Sequence, residues 1–295
     1  MPTTKSPAKA KTAKATTASL PGVVVTGAGT KPVIVIHAPE KGGKSSGAAN
    51  FPDPFFFLSH NEAGLETLID HGQVPETAHM PPFEQWENPN FKPEDPEGPE
   101  KPGIIDALKI VLEHGIEQKT LVFDTINGFE DMCYKHVCDK EYFGDWGGER
   151  RTGFLAYGRG YGVATNYWRK MIDLLDKIRR RWDKTIVCLA HSLIKTQRNP
   201  NGSDYDCWKP DMNDNQWGVL HKLADVIMFI DRVIVVEEDG FRAKAQGGTQ
   251  RIARCEGSAT CVAGNRWGLT EFSCGNSAKE FMTNFTAEVK KARKK

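Results

Sequence analysis

The sequence predicts an α/β fold in which a mostly parallel sheet is covered by helices on both faces and followed by a C-terminal antiparallel β extension. Three observations predict it. Apolar, β-branched runs alternate with amphipathic stretches, the order expected when parallel strands are joined by helical crossovers. The run Val33-Ile34-Val35-Ile36-His37 leads through a Gly-rich loop into Lys44-Ser45-Ser46, the strand–loop–helix layout of a phosphate-binding P-loop. A second apolar strand, Thr120-Leu121-Val122-Phe123, ends on the carboxylate of Asp124, as a Walker B strand does.

Taken in order, residues 1–20 are Lys, Ala, Thr, Ser and Pro with almost no bulky apolar side chains. They cannot bury enough surface to order themselves and are expected to be a disordered basic tail. Strands follow at 23–26 and 33–37, a helix after Lys44, a strand at 55–59 and a helix at 62–71. Residues 81–103 are rich in Pro and acidic side chains and read as an exposed loop. A helix is expected at 104–114, a strand at 120–124 and a helix from Ile126 to about Val137. A long amphipathic helix spans 162–181, where Trp168, Met171, Ile172, Leu175 and Ile178 recur at helical spacing on the core face. Buried strands are expected at 185–191 and 225–230. From Val233 on, short strands around Asp239-Gly240 suggest the antiparallel extension. The main domain spans 21–285, and 286–295, ending Lys290-Lys291-Ala292-Arg293-Lys294-Lys295, reads as a basic C-terminal tail or helix end.

With 295 residues, 39% of them hydrophobic, the chain can bury one large core. Its formal net charge of +1 gives no bulk drive toward nucleic acid, so any such binding must come from local patches. No run approaches the ~20 apolar residues of a membrane span, and no signal-peptide core stands at the N-terminus. Seven scattered cysteines, an odd number, argue for a reduced, cytoplasmic chain. Cys133, His136 and Cys138 lie close together on one helix, which leaves a metal site there open.

The P-loop residues are Ala38, Pro39, Glu40, Lys41, Gly42, Gly43, Lys44, Ser45 and Ser46. In such a loop backbone N–H groups curl around phosphates, the lysine reaches the β- and γ-phosphates, and the serine hydroxyl ligates magnesium. Ala38 stands where the motif has its first glycine, a strand-end position at which a small side chain fits. Asp124 either holds the magnesium with Ser45 or caps the following helix, and the two roles are compatible. The cofactors implied are ATP and Mg2+; no guanine-specifying Asn-Lys-x-Asp run is visible.

From about residue 32 to 272 the chain resembles the RecA-like P-loop ATPases found as phage nucleotide-binding proteins, the AAA-type branch that includes phage single-strand annealing ATPases. Ala38-Pro39-Glu40-Lys41-Gly42-Gly43-Lys44-Ser45 looks like the RecA-type Walker A. Asn61-Glu62-Ala63-Gly64 is similar to the Glu-x-Gly that carries the catalytic glutamate. Gly158-Arg159-Gly160-Tyr161-Gly162, Leu189-Ala190-His191-Ser192 and Leu223-Ala224-Asp225-Val226-Ile227-Met228-Phe229 resemble the phage branch. Gly264-Asn265-Arg266-Trp267-Gly268-Leu269 looks like the RadA-type Lys-Asn-Arg-Phe-Gly motif, with Gly264 in place of the lysine.

The resemblance implies an ATP-binding, Mg-dependent ATPase with a RecA-like core, acting on single-stranded DNA in phage recombination, annealing or replication, as a homo-oligomeric ring or filament. It implies roles for Glu62 as the water-activating base, Lys44 as the phosphate cation, His191 as a polar γ-phosphate sensor and Arg266 as a finger reaching a neighbouring subunit. The bland readings are a helix-start glutamate, a satisfied strand-end histidine and a surface arginine. Two loops combine aromatic and basic residues, as single-strand binding requires. One holds Tyr142, Phe143, Trp146, Arg150, Arg151, Phe154, Tyr157, Arg159 and Tyr161. The other holds Lys195, Gln197, Arg198, Tyr205, Trp208 and Lys209. The same aromatics also suit a small satellite core. Arg179-Arg180-Arg181 reads as a solvated helix end. A nucleotide-switched binding module and a small-molecule P-loop kinase are the alternatives.

Overall fold

Every position of β1 (Val33–Ala38) is buried, which is why its sequence is an unbroken apolar run rather than an alternating one. The computed structural model describes residues 29–60, 62–95, 98–147, 151–239 and 242–294. The tail at 1–20 and the strand at 23–26 lie outside the described residues. After β1 come α1 (Lys44–Ala48), β2 (Pro54–Leu58), α2 (Gly64–Asp70), β3 (Ala78–His79), α3 (Ile104–His114), β4 (Thr120–Asp124), α4 (Ile126–Glu141) and α5 (Arg159–Trp182). Then follow β5 (Thr185–Gln197), β6 (Tyr205–Pro210), α6 (Asp214–Leu223), β7 (Val226–Asp239), β8 (Arg242–Arg254), β9 (Gly264–Asn265), β10 (Phe272–Ser273) and α7 (Ala278–Ala292).

The sheet order is β10-β8-β7-β1-β5-β4-β2-β3. Neighbours from β7 to β3 are parallel. β8 and β10 extend it antiparallel, while β6 and β9 pair antiparallel with β5 and β7. This is the predicted α/β class, antiparallel C-terminal strands included. The pleat divides the core. Val33, Val35, Phe57, Leu121, Phe123, Ile186 and Cys188 face α3 to α6. Ile34, Ile36, Phe56, Leu58, Val122, Val187 and Leu189 face α1, α2 and α7. All five α5 positions expected to face the core are buried. The Trp168 indole N–H donates to the Gln216 carbonyl at 3.1 Å, so the ring is buried with its polar atom satisfied.

Four expectations need correction. The described residues of 81–103 form no helix or strand, yet Phe83 and Trp86 are buried in the α3–α5 core. The Phe83 N–H donates to the Leu58 carbonyl, and the Asn88 N–H to Asp106. Two aromatics outweigh the acidic composition, and the segment is an anchored strap. The basic stretch 286–295 is not set apart as a tail: α7 runs to Ala292, burying Phe281, Phe285 and Glu288. Arg179 is buried and ion-paired to Asp176 and Asp225, so only Arg180 and Arg181 remain on the solvated face. The strand at 185–191 continues to Gln197, making with β6 an arm that leaves the sheet edge with Leu193, Ile194 and Tyr205 exposed. Among the described residues no helix is long and apolar enough to cross a membrane.

Candidate functional site

Register gathers the site. Ala38 of β1 lies beside His191 of β5, Leu189 beside Asp124 of β4, and Asp124 beside Leu58 of β2. The carboxyl ends of these strands therefore share one edge, where ligands collect in parallel α/β sheets. Ser59 locks two of them: its N–H donates to the Asp124 carbonyl at 2.7 Å and its Oγ accepts from the Thr125 N–H.

Beyond β1 the chain turns tightly, with the Gly42 N–H donating to the Pro39 carbonyl. A Cβ on Gly42 would stand 2.6 Å from the Ala38 Cβ, so the alanine that replaces the motif's first glycine itself requires glycine at 42. Gly43 has φ +91° and opens α1. Lys41 holds φ 57°, a left-handed conformation that costs a non-glycine residue about 1–2 kcal/mol.

A cavity of about 490 Å³ lies over this loop, lined by Lys41 to Ser46, Glu62, Gly64, Thr67, Leu68, Asp124, Thr125, His191 and Arg251. The buried Lys44 ammonium donates to the Ala38 and Pro39 carbonyls at 3.2 and 3.3 Å and to His191 Nδ1 at 3.3 Å. Burial lowers the Lys44 pKa, opposed by Asp124, Glu62 and Glu40. His191 is lowered too, by burial first and then by Lys44. As acceptor from Lys44 its imidazole is neutral. Ser45 Oγ donates to Asp124 Oδ2 at 2.6 Å. Desolvation in a fully buried position pushes the Asp124 carboxyl up to about 7, and its Oδ1 has no hydrogen-bond partner among the described residues. A buried carboxylate with a bare oxygen beside a serine hydroxyl is a donor set that fits magnesium, a hard cation taking oxygen ligands.

The structure thus brings together Lys41 to Ser46, Glu62, Asp124 and His191. Ala38 and Pro39 take part only through carbonyls, and Glu40 is exposed outside the lining. Asn61 and Arg150 lie outside the described residues. Arg266 stands at the opposite edge of the sheet, donating to Asp225 at 2.8 Å and to the Lys222 carbonyl, so it does not reach this chain's own cavity. Of the residues expected at nucleic acid, Arg159 donates to the Arg151 and Thr152 carbonyls. Lys195 donates to the Met212 carbonyl and faces Asp211 at 3.7 Å. Arg151 and Arg198 are exposed. Around a buried Phe154, Tyr134, Tyr142, Trp146 and Tyr161 form a satellite core, whereas Phe143 and Tyr157 are 96% and 77% exposed. Cys133 donates its thiol to the Ala164 carbonyl and His136 packs on Tyr167. Among the described residues no three metal-binding side chains converge.

Two site residues escaped the sequence reading. Asn127 accepts from the His191 N–H at 2.8 Å and fixes that strand. Its signal was its place just past Asp124, on the first turn of α4. Arg251, from β8, donates to the Gly42 carbonyl at 3.3 Å, and no local pattern marks it.

A family model described as "AAA domain" matches residues 30–267. Among solved structures, the flagellar accessory protein FlaH from Methanocaldococcus jannaschii is 12% identical, with 82% of this chain and 84% of that chain covered and a TM-score of 0.36. The RadB recombinase is 10% identical, with 84% of this chain and 90% of that chain covered and a TM-score of 0.40. No curated protein matches the chain.

Proposed function

Because the chain belongs to the AAA domain family, we propose that it binds ATP with magnesium at the P-loop cavity and hydrolyses the terminal phosphate. The observation that carries this is the convergence of Lys44, Ser45, Glu62, Asp124 and His191 on one cavity. Ser45 and Asp124 Oδ1 are the atoms that would hold the metal. Magnesium held by them would supply positive charge against the phosphates.

Lys44 exchanges two neutral carbonyls for β- and γ-phosphate oxygens, a charge-assisted contact roughly twice as strong as a neutral one. Glu62 orients the attacking water and takes its proton. Neutral His191, hydrogen-bonded to the same Lys44, registers whether the ammonium has moved to a phosphate. β5 carries that signal straight into the β5–β6 arm, where Arg198 and Tyr205 are exposed. We assign to this arm, and to the loop bearing Arg151 and Tyr157, a contact with single-stranded DNA. Its context, taken from the resemblance, is phage recombination, annealing or replication in the host cytoplasm, with copies assembled in a ring or filament.

Calorimetric titration with ATP and magnesium, run beside phosphate release, tests the reading. Lys44→Ala should weaken ATP at least about tenfold and abolish release. Glu62→Gln should bind ATP normally and fail to turn over. Wild-type affinity and turnover in Lys44→Ala would overturn it. For DNA, binding of a fluorescent single strand should weaken steeply with salt and weaken further in Arg151→Ala/Arg198→Ala. Salt-insensitive binding would remove the DNA assignment alone.

A further inference from the structure

Arg251 sits between two cavities. One is the P-loop cavity; the other, of about 230 Å³, opens on the far side of its guanidinium. The second is lined by Gly47 of α1, Gln73, Asn276, and Ala278 and Phe281 of α7, and it shares Gly42, Gly43, Ser46 and Arg251 with the first. The guanidinium lies so close over the loop that a Cβ on Gly43 would stand 2.1 Å from its Nη1. Among the described residues it donates to a neutral carbonyl at 3.3 Å and forms no ion pair. An arginine with its fork uncommitted to a carboxylate, facing a phosphate-binding loop, is suited to phosphate oxygens.

The two cavities differ in chemistry. Glu62, Asp124 and His191, the groups placed to act on a terminal phosphate, line only the first. The second offers the amides of Gln73 and Asn276, the hydroxyls of Ser46 and Ser277, and the Phe281 ring, which packs over Gly47. Among the described residues no carboxylate lines it. Neutral donors and acceptors beside an aromatic ring suit an uncharged heteroaromatic base and sugar hydroxyls. A nucleotide whose terminal phosphate meets Glu62 must leave the loop on the side away from it, and that side is past Arg251.

Building on the nucleotide reading above, we propose that the cavity between α1 and the start of α7 holds the base and ribose of the nucleotide, with Arg251 at the junction gripping the α- and β-phosphates. Arg251 is a binding residue in this placement, so its loss weakens ATP and ADP alike.

Titrations with ATP, ADP and inorganic triphosphate, each with magnesium, separate the parts. Wild-type protein should bind ATP more tightly than triphosphate. Arg251→Ala should weaken all three by about tenfold. Ala278→Trp fills the second cavity and should weaken ATP and ADP by about tenfold while leaving triphosphate unchanged. Asn276→Trp fills it from the exposed side and repeats the test if Ala278→Trp does not fold. Folded Trp variants that bind ATP like wild type would overturn the placement while the P-loop reading stands. So would an Arg251→Ala protein with unchanged triphosphate affinity. A wild-type protein that binds neither ATP nor triphosphate would overturn both.

Discussion

Where the parallel strands begin, Asp225 accepts from the Val33 N–H and from Arg179 and Arg266, so that both its oxygens are engaged. Where they end, Asp124 is buried more deeply yet has one oxygen engaged by Ser45 and the other bare. Lys44 nearby is held by neutral carbonyls. Both edges carry charge taken out of water, and only the first neutralises it internally. A fully paired carboxylate holds the fold together, whereas an incompletely paired one costs stability and stays available to a ligand.

The largest effect expected from this contrast is at the paired edge. Asp225→Ala leaves the Val33 N–H without its acceptor and takes one of two carboxylates from buried Arg179, and should cost about 3 kcal/mol in urea unfolding, with the ATP affinity of the folded protein unchanged. A loss below about 1 kcal/mol, the range of exposed pairs, would erase the distinction between the edges.

His37 sharpens the contrast from the penultimate position of β1. It is fully buried, with Nδ1 bonded to Ser192 Oγ at 2.8 Å and Nε2 to the Val262 carbonyl. Burial first, and then Lys44, lower its pKa to about 4 against the Val262 hydrogen bond. The unfolded chain, near the ordinary 6.5, binds the proton more readily, so stability contributed by neutral His37 is complete above 6.5. It is lost as pH falls toward 4, in total about 3 kcal/mol. Between pH 7.5 and 4 the unfolding free energy of wild type should fall relative to that of His37→Gln, a difference that separates His37 from Asp124, whose raised carboxyl contributes with the opposite sign. Equal slopes would mean that His37 is not the group being titrated.

At the ligand edge, Asp124→Asn removes a charge that desolvation already disfavours. Stability should change by no more than about 1 kcal/mol, in contrast to Asp225, while phosphate release is lost and ATP still binds. A destabilisation as large as that of Asp225→Ala would show that the ligand edge is structural as well.

The smallest effect belongs to Arg266. Its side chain is 59% exposed, so its pair with Asp225 should be worth less than about 1 kcal/mol and costs little to exchange for another anion. Arg266→Ala should therefore melt near wild type, and mixing it with Lys44→Ala protein should restore some hydrolysis. A monomer in sedimentation with nucleotide and DNA present, turning over normally, would confine Arg266 to its role as a clamp.

Much of the parallel core was legible because fully buried strands leave unbroken apolar runs: Val33–Ala38 and Thr120–Asp124 could be placed nearly to the residue. The P-loop and Asp124 were legible because phosphate and metal chemistry demand fixed residue types at fixed spacing. The β5–β6 arm was not, since the polar run Lys195, Thr196 and Gln197 hides the continuing strand. Helix α7 was hidden by its lysines, although Phe281 and Phe285 stand four apart on one face. Arg251 had no signal at all: it meets Gly42 from 209 residues away, and only the antiparallel pairing of β8 with β7 brings it there.

β1 lies between β5 and β7, and that position has a consequence for synthesis. His37 finds Ser192 155 residues further on, and the Val33 N–H finds Asp225 192 residues further on. At translation rates of roughly 5–20 residues per second, β1 leaves the ribosome on the order of ten seconds or more before either neighbour exists. Throughout that interval an apolar strand with two open edges is available to any partner. The nucleotide site, whose first loop emerges among the earliest of its parts, is completed among the last.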